Sequence, residues 1–341
     1  MRAAVLRSVV LGIGTTLLLA VCAAPASSAR PVEPRAPRVD PTLRVGHPAW
    51  VSVSVATVWR SPESPRAVDR PALENPARIG RWLDDMTTEQ RRALGGRSDT
   101  QALLGERVVV LELSPRWAKV AVLSQPTPQD ERGYPGWVPR RQLTAQAPTR
   151  SHRHATVVDR LTWLRADTPG AERLVRISFG TELPVVATTP EFVRVVAPGG
   201  VPGRLSRKAV AVHAPGEAAL PPTRAGLVRT ATMFRGLPYL WAGTSGFGFD
   251  CSGLTSLDYR VHGITLPRDA SPQSQNGTEV VRPRPGDLQF YATDGNVHHV
   301  SMYIGHGRMV HSPGTGQTVE VIATSTPGYA EEYAGARRYL P

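Results

Sequence analysis

From Trp50 to His213, no apolar alternating run lasts more than about a dozen residues before a Pro- or Gly-rich turn cuts it. The runs are VSVSVATVW, RVVVLEL, WAKVAVL, GWVP, ATVVDRLTWLRA, ELPVVATT, FVRVVAP and KAVAVHA. Strands this short and this often reversed do not build a wide parallel sheet, which needs long crossovers; they suit small antiparallel barrels that hide their own edges. Turn residues are abundant, with 31 Gly and 32 Pro in 341 residues. One segment breaks the rule: Arg78 to Leu94 has the spacing of a helix through Ile79, Leu83 and Met86, with a fresh start at Thr87/Thr88. Two barrels are therefore expected, over 47–145 with a helical insertion and over 150–213. The segment APGEAALPPT, 214–223, carries three prolines and reads as a linker. A helix-then-sheet pattern follows over 224–341.

The amino-terminal end reads differently. Arg2 and Arg7 precede Val9 to Val21, an uncharged, largely apolar run too short to span a bilayer, and Ser27-Ser28-Ala29 supplies small residues for cleavage. Residues 1–29 are thus expected to be a secretory signal, with a lipid-modified Cys22 as the rival reading, and 30–46 a Pro/Arg-rich tether. The body is expected outside the cytoplasm, secreted or associated with the envelope. Removing the signal takes two arginines from a formal charge of +12, leaving +10, almost all of it arginine because Lys119 and Lys208 are the only lysines. That charge is scattered. It fits weak attraction to an anionic envelope rather than nucleic-acid binding.

The chain has two cysteines, which excludes a disulfide scaffold and a four-thiolate zinc site; without the signal, Cys251 stands alone. Asp250 is a good N-cap, and Leu254, Leu257 and Val261 form one apolar stripe ended by Gly263, so Cys251 falls in the first turn of a helix. There the free backbone N–H groups and the helix dipole favour thiolate. A structural cysteine would sit on the buried face beside Leu254. A reactive thiol needs an imidazole and a group that fixes its tautomer. Strand patterns at Val297–Gly305 and Arg308–Ser312, joined through Gly305-His306-Gly307, would bring His299 and His311 to adjacent strands. His298 is the alternative to His299, since a one-residue slip exchanges their faces. No complete metal-ligand motif occurs, and no metal or cofactor is expected.

These residues resemble the NlpC/P60 cysteine peptidases of bacterial cell walls. The resemblance rests on Pro238-Tyr239-Leu240-Trp241-Ala242-Gly243, Asp250-Cys251-Ser252-Gly253-Leu254, Leu266-Pro267-Arg268, Pro285-Gly286-Asp287-Leu288, His299-Val300-Ser301-Met302-Tyr303-Ile304-Gly305 and Met309-Val310-His311-Ser312, in the family's order. It implies a papain-like α+β domain after two SH3-like barrels, with Cys251 as nucleophile, His299 as base, His311 as the residue that orients it, and Tyr239 and Ser252 beside the sulfur. Upstream, Thr100 to Glu106, Trp117 and Gly133-Tyr134-Pro135-Gly136-Trp137 resemble the first bacterial SH3 domain of members that cleave γ-D-glutamyl–diamino acid bonds. In those members that domain narrows the cleft to substrates with a free N-terminal L-alanine. A buried carboxylate must meet such an ammonium; Glu106 and Asp269 are the candidates, with Tyr134 as wall or donor. Ala270 departs from the pattern, since a hydroxyl residue often follows the Asp.

The expected function is therefore hydrolysis of the γ-D-glutamyl–diaminopimelate bond of peptidoglycan stem peptides or muropeptides by a monomeric enzyme. Two rivals stand beside it: an endopeptidase acting on intact, N-blocked peptidoglycan, and a wall-binding SH3 adaptor with a vestigial site.

Overall fold

A computed structural model describes residues 42–340, with Met1 and Asp40. The expected signal, Cys22 and most of the tether lie outside the described residues. Among the described residues, no helix is long and apolar enough to cross a membrane.

Residues 48–144 form a seven-stranded antiparallel sheet, with strands β1 (Pro48–Val51), β2 (Val55–Trp59), β3 (Ser98–Leu103), β4 (Arg107–Leu113), β5 (Trp117–Val122), β6 (Tyr134–Pro139) and β7 (Leu143–Thr144). Their order is β3-β2-β6-β5-β4-β1-β7. The run VSVSVATVW, expected as one strand, is two. It breaks at Ser52–Ser54 because β1 pairs with β4 and β7 while β2 turns away to pair with β3 and β6. The insertion between β2 and β3 is three short helices, α1 (Arg70–Leu73), α2 (Ile79–Asp85) and α3 (Thr88–Arg92), rather than one. Thr87 starts the last with a reciprocal capping box to Gln90, which divides the expected helix at Met86. Trp82 is buried with its ring centroid 6.0 Å from that of Trp59, and its Nε1–H donates to Asp69 at 2.8 Å.

The second sheet contains β8 (His154–Val157), β9 (Leu161–Ala166), β10 (Arg173–Ser178), β11 (Glu182–Thr188), β12 (Phe192–Ala197), β13 (Val201–Ser206) and β14 (Val210–His213), ordered β10-β9-β13-β12-β11-β8-β14. Its seven strands exceed the four runs visible in the sequence. ATVVDRLTWLRA bends at Asp159-Arg160 into two strands, while Arg173–Ser178 and Val201–Ser206 carry too many arginines and turn residues to show alternation. Leu104, from the loop after β3, joins this sheet's core with Val157, Leu164, Ile177 and Leu205.

Beyond residue 213, α4 (Arg224–Met233) is capped by Thr223. A tight hairpin follows, β15 (Thr244–Ser245) and β16 (Gly248–Phe249), then α5 (Cys251–Val261) and α6 (Ala270–Ser274). The closing antiparallel sheet has β17 (Thr278–Glu279), β18 (Leu288–Thr293), β19 (Asn296–Gly305), β20 (Arg308–His311), β21 (Glu320–Ala323) and β22 (Tyr333–Arg338), ordered β17-β22-β18-β19-β20-β21. Helix α5 lies against β19, which sets its first turn beside the histidine-bearing strands.

Both β-rich units are locked onto this domain. A Cβ at Gly246 would stand 1.9 Å from the Arg160 carbonyl oxygen, and one at Gly180 would lie 2.6 Å from Leu257 of α5, so these junctions require glycine. Strand β3 docks on the β15 segment: Trp241 Nε1–H donates to the Ser98 carbonyl at 2.8 Å, and Thr244 Oγ1–H to that of Gln101 at 2.8 Å. Deepest is Arg268. Its Nε–H donates to Thr100 Oγ1 at 2.8 Å, and two of its N–H groups grip Asp250 at 3.0 and 2.6 Å, all buried. Arg268→Ala would leave Asp250 buried without its cation, at a cost of about 3–5 kcal/mol. Urea denaturation should register that loss; a change below about 1 kcal/mol would show that the pair is dispensable.

Candidate active site

Asp250 accepts the Gly253 backbone N–H at 2.6 Å and so fixes the start of α5, with Cys251 as its first residue. The sulfur is buried where α5 packs against β19. On that strand His299 is buried, whereas His298 faces out towards Thr293 and Glu332. Strand alternation therefore buries His299 beside His311 and leaves His298 exposed, although both line a cavity with Cys251. His299 Nε2 lies 2.9 Å from His311 Nδ1, and the rings of Tyr291 and Tyr329 pack around the pair.

A bond between two ring nitrogens needs one donor. With the proton on His299 Nε2, His299 Nδ1 keeps its lone pair for the thiol, and His311 Nε2–H is left facing strand β21. Glu320, directly opposite His311 in the strand register, has a carboxylate oxygen 3.4 Å from that nitrogen. Among the described residues His311 Nε2 has no closer partner. Glu320 was not found by sequence reasoning because it carries no motif; only the β20–β21 register brings it there.

Burial pushes the Cys251 thiol up to about 12, and the Asp250 carboxylate adds to the effect against the N–H of Val300. Burial also lowers His299 to about 3, with His311 and His298 contributing, and lowers His311 to about 4. These effects oppose the thiolate expected from helix position. The positive end of α5 is already met by the charged cap Asp250, so it offers the sulfur little net stabilisation. Both shifts favour the neutral pair, thiol beside imidazole, in the free site.

Cys251 lies where two cavities meet. One, of about 250 Å³, is lined by Tyr239, His298, His299, Pro313, Tyr329 and Glu332. The other, of about 670 Å³, runs between the catalytic domain and the first β-rich unit and is lined by Tyr239, Trp241, Ser252, Asp269, Asp99 and Tyr134, among others. Of the expected residues, Cys251, His299, Tyr239, Ser252, Asp269 and Tyr134 are brought to this cleft, and His311 stands directly behind His299. The Ser252 hydroxyl receives an Arg268 N–H at 3.0 Å. Asp269 precedes α6 without capping it; its carboxylate instead accepts the Tyr134 hydroxyl at 3.0 Å. Burial raises the Asp269 carboxyl above its ordinary range, and Asp250 and Asp99 reinforce this against Arg268 and the Tyr134 bond.

Glu106 is not in the cleft. It lies behind the site, ion-paired with Arg260 of α5, beside a separate cavity of about 320 Å³ where the three units meet. The turn after β3 carries it away from the sulfur, and its expected contact with substrate is withdrawn. The acid that the first unit does offer is Asp99 on β3, paired at the rim with Arg60 at 2.7 Å. It was overlooked because β3 itself was not read as a strand.

A neutral resting thiol has a measurable signature. Alkylation of the free enzyme by iodoacetamide should rise about tenfold per pH unit from pH 7 to 10, as the small thiolate fraction grows. A rate that levels off below pH 8 would contradict the neutral pair.

Comparison with known proteins gives a consistent set of likenesses. The NlpC/P60 family profile matches residues 236–338, and the YKFC SH3b2 domain profile matches residues 157–213. A Bacillus cereus protein named gamma-D-glutamyl-L-lysine dipeptidyl-peptidase is 43% identical over 303 residues, covering 86% of this chain and 91% of the relative. A Bacillus subtilis protein of the same name is 35% identical over 292 residues, covering 84% of this chain and 96% of the relative. The crystal structure of an NlpC/P60 family protein from Bacillus cereus superposes with a TM-score of 0.82 at 42% identity, over 86% of this chain and 100% of that one.

Proposed function

The chain belongs to the NlpC/P60 family of cysteine peptidases and is a peptidoglycan-related peptide hydrolase. From that premise we propose that it cleaves the γ-D-glutamyl–L-diamino acid bond of stem peptides whose N-terminal L-alanine is free. One observation carries this reading. Asp269 of the catalytic domain and Tyr134 of the first SH3-like unit meet at 3.0 Å, with Asp99 lining the same cavity as Cys251. A half-desolvated carboxylate whose pKa is raised by burial and by two neighbouring acids gains most from a cation, and an α-ammonium is the cation that a peptide terminus supplies. The first unit walls this end of the cleft, which suits a short N-terminal stretch rather than a continuing chain. The name of the Bacillus relatives, a dipeptidyl-peptidase, agrees with that length.

In this reading the Cys251 sulfur attacks the γ-carbonyl carbon of D-glutamate while its proton passes to His299 Nδ1. The backbone N–H of Cys251, at the positive end of α5, receives the oxyanion. Collapse breaks the C–N bond, and His299 returns the proton to the departing amine. Water then attacks the thioester with His299 as base, releasing L-Ala-γ-D-Glu. His311 holds the His299 ring throughout. The diamino acid leaves through the smaller cavity, where Glu332 can meet its distal ammonium. Diaminopimelate is the diamino acid that the family resemblance implies; the relatives' name specifies lysine.

Cys251→Ala should abolish turnover of L-Ala-γ-D-Glu-diaminopimelate without lowering the melting temperature. N-acetylating that substrate should raise KM by about tenfold or more, and Asp269→Asn should raise KM for the free amine while leaving the acetylated compound little changed. Equal KM values for free and acetylated substrate in the native enzyme would refute the ammonium pocket.

A further inference from the structure

The second β-rich unit carries a row of arginines for which the hydrolytic site has no use. In the strand register Arg173 of β10 stands directly opposite Arg165 of β9, Arg165 opposite Arg204 of β13, and Arg204 opposite Arg194 of β12. Directly paired residues project from the same face, so four guanidinium groups from four consecutive strands share one row about 14 Å long. Arg173 and Arg194 are exposed, and Arg165 and Arg204 half-exposed. None of these four strands contains an acidic residue. The acids bordering the row are Asp167, which pairs with Arg194 at 2.6 Å, and Glu172 and Glu191, which immediately precede β10 and β12. Arg165 also donates to the Ala171 carbonyl at 3.1 Å, so among the described residues only Asp167 meets the row with a paired charge, and the row keeps an excess of positive charge.

We propose that this face binds a linear phosphodiester polymer of the cell envelope. Neighbouring strand backbones stand about 4.8 Å apart, so paired arginine side chains start close enough for one tetrahedral phosphate to take N–H donors from two of them, and the row can seat successive phosphates of one chain. Two of the arginine planes are held by aromatic rings: Arg173 lies 5.1 Å from the Trp163 ring centroid and Arg204 lies 5.0 Å from that of Phe192. The forks are thus partly preorganised. The face belongs to strands that take no part in lining either catalytic cavity, so polymer binding and hydrolysis can proceed at once, whichever peptide bond is cut.

The test uses the full chain, fluorescent poly(glycerol phosphate) as probe, and the double variant Arg165→Gln/Arg204→Gln. The native protein should bind the polymer with a strong salt dependence. The variant should bind at least tenfold more weakly, with a log–log salt slope shallower by about two. Its turnover of a free stem peptide should be unchanged, and its melting temperature should stay about the same, because relief of two opposed charges offsets loss of the Arg165 bond to Ala171 and of the Arg204 contact with Phe192. Native affinity in the variant would overturn the proposal. So would equal affinity of the native protein for polygalacturonate, which offers the same charge as carboxylate, or a fall in melting temperature, which would make the row a structural feature.

Discussion

The buried pair between Asp250 and Arg268 is the interaction on which the site depends. Asp250 caps the helix that begins with Cys251, and Arg268 precedes Asp269, the acid at the far end of the cleft. Because Arg268 also donates to Thr100 and its backbone N–H reaches the Pro126 carbonyl, one guanidinium fixes helix, acid and neighbouring unit together. A buried ion pair is a weak source of net stability, but it is unforgiving of geometry, since either partner left alone is costly. The same pair shapes the electrostatics. Burial and the Asp250 carboxylate at the helix start both push the Cys251 thiol up.

The first SH3-like unit is therefore part of the catalytic cleft. It supplies Tyr134 and Asp99 to the larger cavity, and its β3 strand forms hydrogen bonds with the segment that leads to the nucleophile. Separating the two would remove one wall of the larger cavity and expose Arg268. The second unit touches the catalytic domain through glycine-tight junctions at Gly180 and Gly246 and leaves its arginine-bearing face outward. One SH3-like unit thus shapes the site, and the other carries its arginine row on strands that line neither cavity.

Much of this was legible in the sequence. The cap at Asp250, the stripe of Leu254, Leu257 and Val261, and the turn at Gly305-His306-Gly307 are local signals, and they position Cys251, His299 and His311 because helix and hairpin geometry are short-range. What escaped was long-range. Strand β3, SDTQAL, shows no alternation because it is packed on both sides, by its own sheet and by the catalytic domain; with it went Asp99. Glu106, only seven residues further on, falls beyond the turn and points to the back of the molecule. Glu320 depends on the pairing of β20 with β21 across a loop, and the arginine row depends on the register of four strands. Charge chemistry was misread for a related reason. Helix position argues for a thiolate; burial, visible only after folding, argues against it, and the neighbouring Asp250 carboxylate, whose charge was read only as a cap, adds to that.

The central claim is that a two-domain acid pocket restricts this peptidase to peptides with a free terminal amine. Mass spectrometry of the products from purified intact sacculi and from the corresponding free stem peptides, treated in parallel with the full-length enzyme, tests it most directly. The account predicts release of L-Ala-γ-D-Glu from the free peptides and none from the sacculi, whose L-alanine is amide-linked. Comparable cleavage of both would contradict it.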